Sequence, residues 1–410
     1  MRIAVLVFSE FPDGAALGRR THLLSKGWAE LGHDVNVVVA QRFREGPLRE
    51  EFDGIQVMWG TRTTREASHG LGERLIARWA TVREVHALVE KGLDWLVVVY
   101  PEVDRLPHIM MARRRGVRIA VTYEDKRAFP PAATVYERWL AMRGELADRV
   151  IPGLTDLLFP ISKYLDARLR QRAPGTPTCL LPAVVDTTAF QENEGKGLAF
   201  RERWRLGVEP VLGYMGTYWH VEGLGVFLTA VKELRTRGAA FKVLICGKPH
   251  RGHRSDDVRA MTTALGLQEV VTETGWLPRE EVIAAMSAAD VLVIPKIADD
   301  SNNAGLPTKL AEYMAVGRAI VCSDVGDVRA YVREGEDVLL CRPGDPGSLI
   351  TALGDLLQDG RLRARLAANA RAGAVRHFDY RSVARKAAEA MEAILAPDGM
   401  RSGTRESNEG

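Results

Sequence analysis

The chain has 410 residues, enough for two or three domains of ordinary size. Hydrophobic residues make up 46% and charged residues 27%, a balance typical of a globular protein. The formal net charge of +3 is too small to indicate a nucleic-acid partner. No run of about 18 apolar residues is present, and the apolar N-terminal run leads into acidic residues without a cleavage-like site. We therefore predict neither a transmembrane helix nor a signal peptide.

Cysteine usage and one basic cluster bear on the compartment. The four cysteines are Cys179, Cys246, Cys322 and Cys341. They form no CxxC pair, which argues against zinc or a redox dithiol and favours a reducing cytoplasm. The arginines at 113–115 and 118 are interpreted as a solvated helix end, with contact to an anionic membrane surface as the alternative. We expect a cytoplasmic protein, with peripheral contact at the inner membrane face left open.

Apolar runs alternate with helical periodicity along the first half. The predicted strands are 3–9, 34–40, 55–59, 95–100, 117–123, 155–162 and 178–185, and the main predicted helices are 18–31, 71–91 and 133–149. Continuous apolar strands that alternate with helices indicate a parallel sheet covered on both faces.

The same pattern restarts after a polar stretch at 187–207, interpreted as a linker plus a short helix. The predicted strands of this half are 210–216, 241–247, 270–276, 291–295, 319–323 and 338–341, and helices are predicted over 224–237, 255–265 and 346–395. The fold class is therefore α/β, with two tandem doubly wound, Rossmann-like domains. Ligands of such sheets bind beyond the carboxyl ends of the strands, so we expect a site in the cleft between domains.

The segment 303–322 carries the most specific local signal. Pro307 suits the first position of a helix, and Gly317 is placed to end it. Lys309 and Glu312 are three residues apart, so they are expected to neighbour each other. A cation in the first turn opposes the helix dipole unless an anion such as phosphate sits there. The alternative is a surface Lys–Glu pair of little energetic value.

Further charged residues follow predicted strands. Glu124 and Asp125 come after the strand 117–123, where they can orient a hydroxyl or stabilise positive charge, unless they only pair with Lys126 or Arg127. Lys248 comes directly after a strand-terminal glycine and is the second candidate for phosphate binding.

Other strand-end residues give weaker signals. His220 is a conceivable general base, although a single loop histidine is weak evidence. Gly14 and Gly18 would let a ligand approach the backbone, and Arg19 would meet an anion; turn glycines at a solvated helix start are the alternative. Asp299 and Asp300 are interpreted as solvated acids, so no essential metal is predicted. GxGxxG, GxxxxGK[ST] and HExxH are absent.

With these residues placed, the chain resembles the family-4 retaining glycosyltransferases of the GT-B fold over about residues 1–395. GLPTKLAEYMAVGRAIVCSDVG is similar to the donor-site signature of that family. LGHDVNVVV, ISKYLDARL, LLPAVVDTTAF and GWLPREEVIAAMSAADVLVIP resemble its other segments. HFDYRSVARKAAEAM resembles the terminal helix that crosses back to the first domain.

The resemblance implies a domain plan. Residues 1–186 would form an acceptor-binding domain and 187–376 a nucleotide-sugar donor domain. Residues 377–395 would form a crossover helix that packs on the first domain, and 396–410 a disordered tail.

The resemblance also implies roles for single residues. Glu312 would hold the ribose hydroxyls, and the backbone at Trp276–Leu277 would meet the base. Donor contacts are also implied at Thr217, Asn303 and Ala304, and amides around Gly305, Leu306 and Pro307 would meet the diphosphate or the sugar. The candidate catalytic residues are Glu124, Asp125, Lys309 and Glu312.

Some positions depart from the family pattern. Ala304 stands where a first glutamate is expected, Thr217 and Glu222 replace an arginine and a lysine, and Glu124 replaces a histidine. We hypothesise that Lys309 and Lys248 supply the missing positive charge.

The expected activity is hexosyl transfer, with retention, from a nucleoside diphosphate sugar of UDP or GDP type to a glycan, lipid-linked or small-molecule hydroxyl. No separate cofactor is expected. A sugar-nucleotide epimerase of the same fold, or a catalytically silent binding partner, are the alternatives.

Overall fold

The computed structural model describes residues 1–9, 11–12, 16–40, 47–59, 71–125, 135–190, 194–249 and 257–396. The predictions for Gly14, Lys126, Arg127 and the tail from residue 397 lie outside these ranges. Two compact units are present: Met1–Pro182 together with the segment that starts at Tyr380, and Ala183–Asp379. Within the described part of the chain, no helix is both long and apolar enough to cross a membrane.

The first unit is built on a seven-stranded sheet. Its elements are β1 (Arg2–Val7), α1 (Ala16–Glu30), β2 (Asp34–Val39), β3 (Arg49–Phe52), β4 (Ile55–Trp59), α2 (Leu71–Glu90), β5 (Trp95–Val99), α3 (Leu106–Arg114), β6 (Arg118–Tyr123), α4 (Val135–Val150), β7 (Leu157–Pro160) and α5 (Lys163–Arg172). The strand order is β3-β4-β2-β1-β5-β6-β7, and only the β3–β4 pair is antiparallel. Strands β5 and β7 are buried throughout, as a sheet covered on both faces requires.

The second unit is built on a six-stranded parallel sheet in the order β10-β9-β8-β11-β12-β13. Its elements are α6 (Glu194–Arg203), β8 (Val211–Tyr218), α7 (Leu224–Thr236), β9 (Lys242–Pro249), α8 (Val258–Leu265), β10 (Val271–Gly275), α9 (Arg279–Ala288), β11 (Val291–Ile294), α10 (Asp300–Ala304), α11 (Thr308–Val316), β12 (Ala319–Ser323), β13 (Leu339–Cys341), α12 (Pro346–Gln358) and α13 (Gly360–Phe378). The prediction of two doubly wound α/β domains is confirmed.

The last helix, α14 (Tyr380–Leu395), belongs to the first unit and packs on α1. The indole Nε1 of the buried Trp28 donates to the Ala384 carbonyl at 3.0 Å, and the Tyr380 hydroxyl donates to Glu30 at 2.7 Å. The helices approach so closely at Gly27 that an added Cβ would lie 2.5 Å from the Ala384 Cβ. The predicted return of the C-terminal helix to the N-terminal domain is therefore confirmed.

The structure corrects three predicted strands. The run 178–185 forms only isolated bridges at Thr178 and Val185, because Pro182 in its centre has no N–H to donate to a ladder. Strands β8 and β9 extend beyond their predicted ends, since Thr217 and Lys248 still pair in register. The short edge strand β3 was not predicted, because its REEF sequence lacks an apolar run.

Candidate active site

Charged residues of the second unit gather beyond the carboxyl ends of its strands, where parallel sheets bind ligands. Glu222 follows β8, Lys296 follows β11, and Lys309 lies in the first turn of α11. The Nζ atoms of Lys296 and Lys309 lie 2.6 Å from the two different carboxylate oxygens of Glu222. One carboxylate therefore bridges two ammonium groups, and we call these three residues the Lys–Glu–Lys cluster.

The cluster is mostly buried: its three side chains are 12–18% exposed. Burial alone would raise the pKa of the Glu222 carboxyl, but Lys309 and Lys296 outweigh burial and lower the pKa to about 2. Two lysines and one ionised glutamate leave a charge of +1. Because the cluster is mostly buried, little water screens this positive charge, and a further anion would be attracted strongly.

The Lys309 side chain packs against residues of β8. Its Nζ lies 4.6 Å from the centre of the Tyr214 ring. A Cβ at Gly216 would lie 2.2 Å from the Lys309 Nζ, so a side chain there would displace the end of Lys309 from this position. The ion pairs differ from the surface Lys309–Glu312 pair that was the alternative interpretation, because Lys309 pairs with Glu222 and Glu312 pairs with Arg279. Glu222 offsets the repulsion between Lys309 and the positive end of the helix dipole.

Asn302 and Lys296 were not singled out in the sequence. The Asn302 side-chain oxygen accepts from Lys296 at 2.8 Å, and its amide donates to the carbonyls of Val221 and Ile297 at 2.9 and 3.0 Å. Asn302 is buried, and it fixes Lys296 in the cluster. Lys296 could have been found from the sequence, because it follows the strand VLVIP at once. No pattern marks Asn302.

Helix α11 is anchored at its centre and capped at its end. The Tyr313 hydroxyl, buried in the core, accepts from the Met215 N–H at 2.9 Å and so ties α11 to β8. Gly317 ends the helix with φ 68°, as predicted. Pro307 is the residue before the helix instead of its first residue, and it has no N–H to offer a ligand. The unbonded first-turn amides therefore begin at Thr308.

Glu312 lies one turn further along α11, where its carboxylate forms an ion pair with Arg279, with Nη1 and Oε1 2.8 Å apart. Arg279 opens α9, and its guanidinium lies 5.5 Å from the centre of the Phe190 ring. Both charged side chains are partly accessible, 26% for Arg279 and 18% for Glu312. The sequence did not indicate Arg279 as a functional residue, although it stands just beyond a strand end.

Trp276 and Lys248 come together at the ends of β10 and β9. The Lys248 ammonium lies 5.7 Å from the centre of the Trp276 ring, which is 63% exposed. Leu277 packs against the core beneath. Thr217 pairs in register with Lys248 on the neighbouring strand. A flat aromatic surface beside a lysine is thus open to a ligand.

The polar segment that begins with Asp299 and Asp300 contains the short helix α10. Asn303 is exposed, whereas Ala304 is fully buried and offers no polar group. Asp299 caps α10 by accepting from the N–H and hydroxyl of Ser301 at 2.8 and 2.6 Å. Among the described residues, no group of three or more His, Cys, Asp or Glu side chains is arranged to hold a metal ion.

In the first unit, the predicted acid Glu124 lies at the carboxyl end of β6. Its Oε1 lies 3.4 Å from Arg20, while Oε2 is buried without a hydrogen-bond partner. Burial raises the pKa of Glu124, although Arg20 acts to lower it. Asp125 beside it is exposed.

The contact of Gly18 and Arg19 with an acceptor or a diphosphate stays a prediction. Gly18 and Arg19 lie inside α1, which starts at Ala16. Arg20 is the arginine that reaches the strand ends, and its guanidinium also donates to the carbonyls of Leu181 and Pro182 at 2.6 and 3.0 Å.

One protein-family model matches most of the second unit. Residues 209–359 match the model of glycosyl transferases group 1. The match lies within the second unit and leaves the first unit unmatched. The matched residues include the whole Lys–Glu–Lys cluster, Glu312 and Arg279.

Similar sequences include proteins that are named as glycosyltransferases. The chain is 28% identical to a 2-deoxystreptamine glucosyltransferase of Streptomyces kanamyceticus over 70% of each chain. It is 25% identical to an MMP alpha-(1->4)-mannosyltransferase of Mycolicibacterium hassiacum over 97% of this chain and 99% of that one.

Solved structures extend the likeness to the whole chain. Sucrose-phosphate synthase of Thermosynechococcus elongatus matches with a TM-score of 0.75 at 19% identity, over 96% of this chain and 99% of that one. Anabaena HepE in complex with UDP-glucose matches with a TM-score of 0.73 at 18% identity, over 96% and 100%. The predicted GT-B fold class is thereby confirmed.

Proposed function

We propose that this protein is a family-4 retaining glycosyltransferase. It would transfer a sugar from a nucleoside diphosphate sugar to a hydroxyl of a glycan, a lipid-linked saccharide or a small molecule. The observation that carries the proposal is the Lys–Glu–Lys cluster beside the first turn of α11, inside the segment that matches the group 1 model. A residual charge of +1 at a helix N-terminus suits a diphosphate.

The proposed donor site extends from this cluster in two directions. Lys309 contacts the diphosphate and Lys248 adds a second cation, beside the exposed Trp276 ring on which the base rests. Glu312 accepts from the ribose hydroxyls, with Arg279 holding its carboxylate in place. The neighbours support this class of donor, since HepE was solved with UDP-glucose and another relative is by name GDP-mannose-dependent.

The chemistry follows from where charge develops. As the glycosidic bond to the diphosphate breaks, negative charge grows on the leaving group and positive charge on the sugar. Lys309 and the first-turn amides of α11 are already in place to stabilise the leaving group, so little reorganisation is needed. In the first unit, the unpartnered Oε2 of Glu124 is available to orient an acceptor hydroxyl.

A thermal-shift panel of UDP, GDP, ADP and TDP tests the donor class. A ligand that binds only the folded state at about 100 times its Kd stabilises that state by about 2.7 kcal/mol. We expect UDP or GDP to raise Tm by several degrees and the others by much less. No shift with any of the four would contradict the proposal.

Glu312→Ala tests the ribose contact, with Glu233→Ala as the matched control. Both variants break a Glu–Arg pair, but Glu233 pairs with Arg237 on the exposed surface of α7. Loss of a charged hydrogen bond to the ribose should weaken nucleotide binding about 10- to 100-fold in Glu312→Ala only. Unchanged affinity in Glu312→Ala would remove the assignment.

Product analysis separates the competing activities. Incubation with donor and acceptor should give a product whose anomeric configuration, read by NMR, matches the donor. An epimerase would convert the donor without any acceptor. A silent homologue would give neither transfer nor hydrolysis.

A further inference from the structure

One negative charge lies inside the positively charged Lys–Glu–Lys cluster. The two carboxylate oxygens of Glu222 each lie 2.6 Å from a lysine Nζ, so both oxygens are engaged by lysines. An ionised carboxylate only accepts hydrogen bonds, and it therefore has none to donate to a phosphate. A diphosphate that binds here is attracted by the two lysines and repelled by Glu222.

The backbone on both sides of Glu222 is fixed. Glu222 ends the single turn His220–Glu222 that follows β8. The carbonyl of the preceding Val221 accepts from the Asn302 side-chain amide at 2.9 Å. The following Gly223 has a φ of 76°, and an added Cβ there would lie 1.8 Å from the Pro295 carbonyl oxygen. Because this backbone is held on both sides, we expect the carboxylate to keep its place when a ligand binds.

The distance from Glu222 to a bound phosphate follows from the position of Lys309. A phosphate oxygen that accepts from the Lys309 Nζ at about 2.8 Å lies within about 5.4 Å of Glu222 Oε2, because that oxygen is 2.6 Å from the same Nζ. The Glu222 side chain is only 12% exposed, so little water screens the repulsion. Every additional negative charge on the phosphates adds to this repulsion.

The ligand gains negative charge during the proposed transfer. When the C–O bond to the sugar breaks, its electron pair stays on the terminal phosphate oxygen, and the proton of the acceptor hydroxyl passes to solvent. The last ionisation of such a terminal phosphate has a pKa of about 6. At about pH 7.5 the released nucleoside diphosphate therefore carries about one more negative charge than the intact donor.

We propose that Glu222 sets the relative affinity of the site for product and donor: it lowers the affinity for the released nucleoside diphosphate more than the affinity for the nucleoside diphosphate sugar. This role rests on the proposed function. The repulsion is partial in the transition state, where the charge is only partly developed, and complete in the product. Weaker product binding speeds product release, a step that limits turnover in many enzymes.

Isothermal titration calorimetry of the full chain tests this role without any sugar transfer. UDP is compared with UDP-glucose, and GDP with GDP-mannose, in the wild type and in Glu222→Gln. Loss of the negative charge should raise the affinity for the diphosphate about 10- to 100-fold at about pH 7.5. This gain should exceed the gain for the sugar nucleotide at least about fivefold, because the sugar nucleotide carries less charge.

Two further ligand conditions separate the effect of charge from contacts with the sugar. UDP with a methyl ester on its terminal phosphate has the charge of the donor and no sugar, so its gain in Glu222→Gln should equal that of UDP-glucose. At about pH 5 the terminal phosphate of UDP is mostly protonated, and the gain for UDP should fall to the same level.

Other titratable groups around the cluster act on both ligands alike at this pH, because the two ligands then carry the same charge. These groups include Lys296, Lys309, Tyr214, Tyr313, His220 and Asp299. The difference between UDP and UDP-glucose therefore isolates the terminal phosphate from the titration of the protein.

Two variants serve as controls. Glu222→Asp keeps the negative charge and should keep the wild-type ratio of the two affinities. Glu233→Gln removes an acid from the exposed surface of α7, where Glu233 pairs with Arg237, and should bind both ligands like the wild type. Circular dichroism checks that each variant is folded.

A second pair of variants avoids leaving two unpaired lysines side by side, should Glu222→Gln fail to fold. Lys296→Met is compared with the double variant Lys296→Met and Glu222→Gln, in which Lys309 is the remaining cation of the cluster. The double variant should again gain more affinity for UDP than for UDP-glucose.

The outcomes separate this role from the proposed function. Equal gains for UDP and UDP-glucose, or a loss of affinity for both, would overturn the role of Glu222 and leave the donor site standing. A loss for both would mean that Glu222 only holds the lysines in place. If the wild type binds none of the nucleotides, the proposed function is refuted, and this role with it.

Discussion

Lys309→Met is the sharpest test of the donor site. Methionine keeps an unbranched apolar side chain over Gly216 and the Tyr214 ring but removes the ammonium. A hydrogen bond to a charged group contributes about 1.5–3 kcal/mol, so the affinity for the cognate nucleoside diphosphate should fall about 10- to 150-fold. The free nucleoside makes no phosphate contact, so its affinity should change less than about threefold.

The fold should survive this substitution, because Glu222 keeps Lys296 as a partner at 2.6 Å. Isothermal titration calorimetry with the nucleoside diphosphate and the nucleoside measures both affinities. Lys232→Met is the control, since Lys232 is an exposed lysine on α7. Parallel losses for the two ligands, or an unchanged affinity for the diphosphate, would refute a phosphate role for Lys309.

Three further predictions concern stability. The lowered pKa of Glu222, about 2 against 4.5, contributes roughly 3 kcal/mol that is present above pH 4.5 and lost as pH falls towards 2. Acid titration of the unfolding free energy should show a smaller loss over this window in Glu222→Gln. Gly223→Ala should lower Tm markedly, because φ is 76° and a Cβ would overlap the Pro295 carbonyl; an unchanged Tm would contradict this geometry. Trp28→Phe loses the bond to the Ala384 carbonyl at the α1–α14 contact, so urea unfolding should reveal about 1–3 kcal/mol of destabilisation, and none would indicate that α14 contributes little.

The order of strands and helices was predictable because buried elements have apolar residues in a regular pattern along the sequence. Strands such as AIVCS at 319–323 are continuous apolar runs, and the structure places β12 at those residues. The strand predicted over 178–185 was wrong because the prediction rested on apolar composition and disregarded Pro182, which has no N–H to donate to a ladder. Edge strand β3 was missed because three of its four residues are charged and it has no apolar run.

The candidate site was predictable in its location and only partly in its partners. Lys309 and Glu312 were expected on one helix that opens after Gly-Leu-Pro, and α11 carries both. Their partners Arg279 and Glu222 stand 33 and 87 residues away in the chain, so no local spacing relates them.

The sequence by itself determined the architecture of this protein: two doubly wound sheets, the helix that opens after Pro307, and the glycine that ends it. These follow from local periodicity and backbone chemistry. Only the tertiary structure decided the electrostatics. It brought Glu222, which follows β8, within hydrogen-bond distance of Lys296 and Lys309, which both follow β11, and it placed Arg20 against Glu124. Coulomb energies and desolvation depend on distance in space and on burial, and neither quantity is written in the order of residues along the chain.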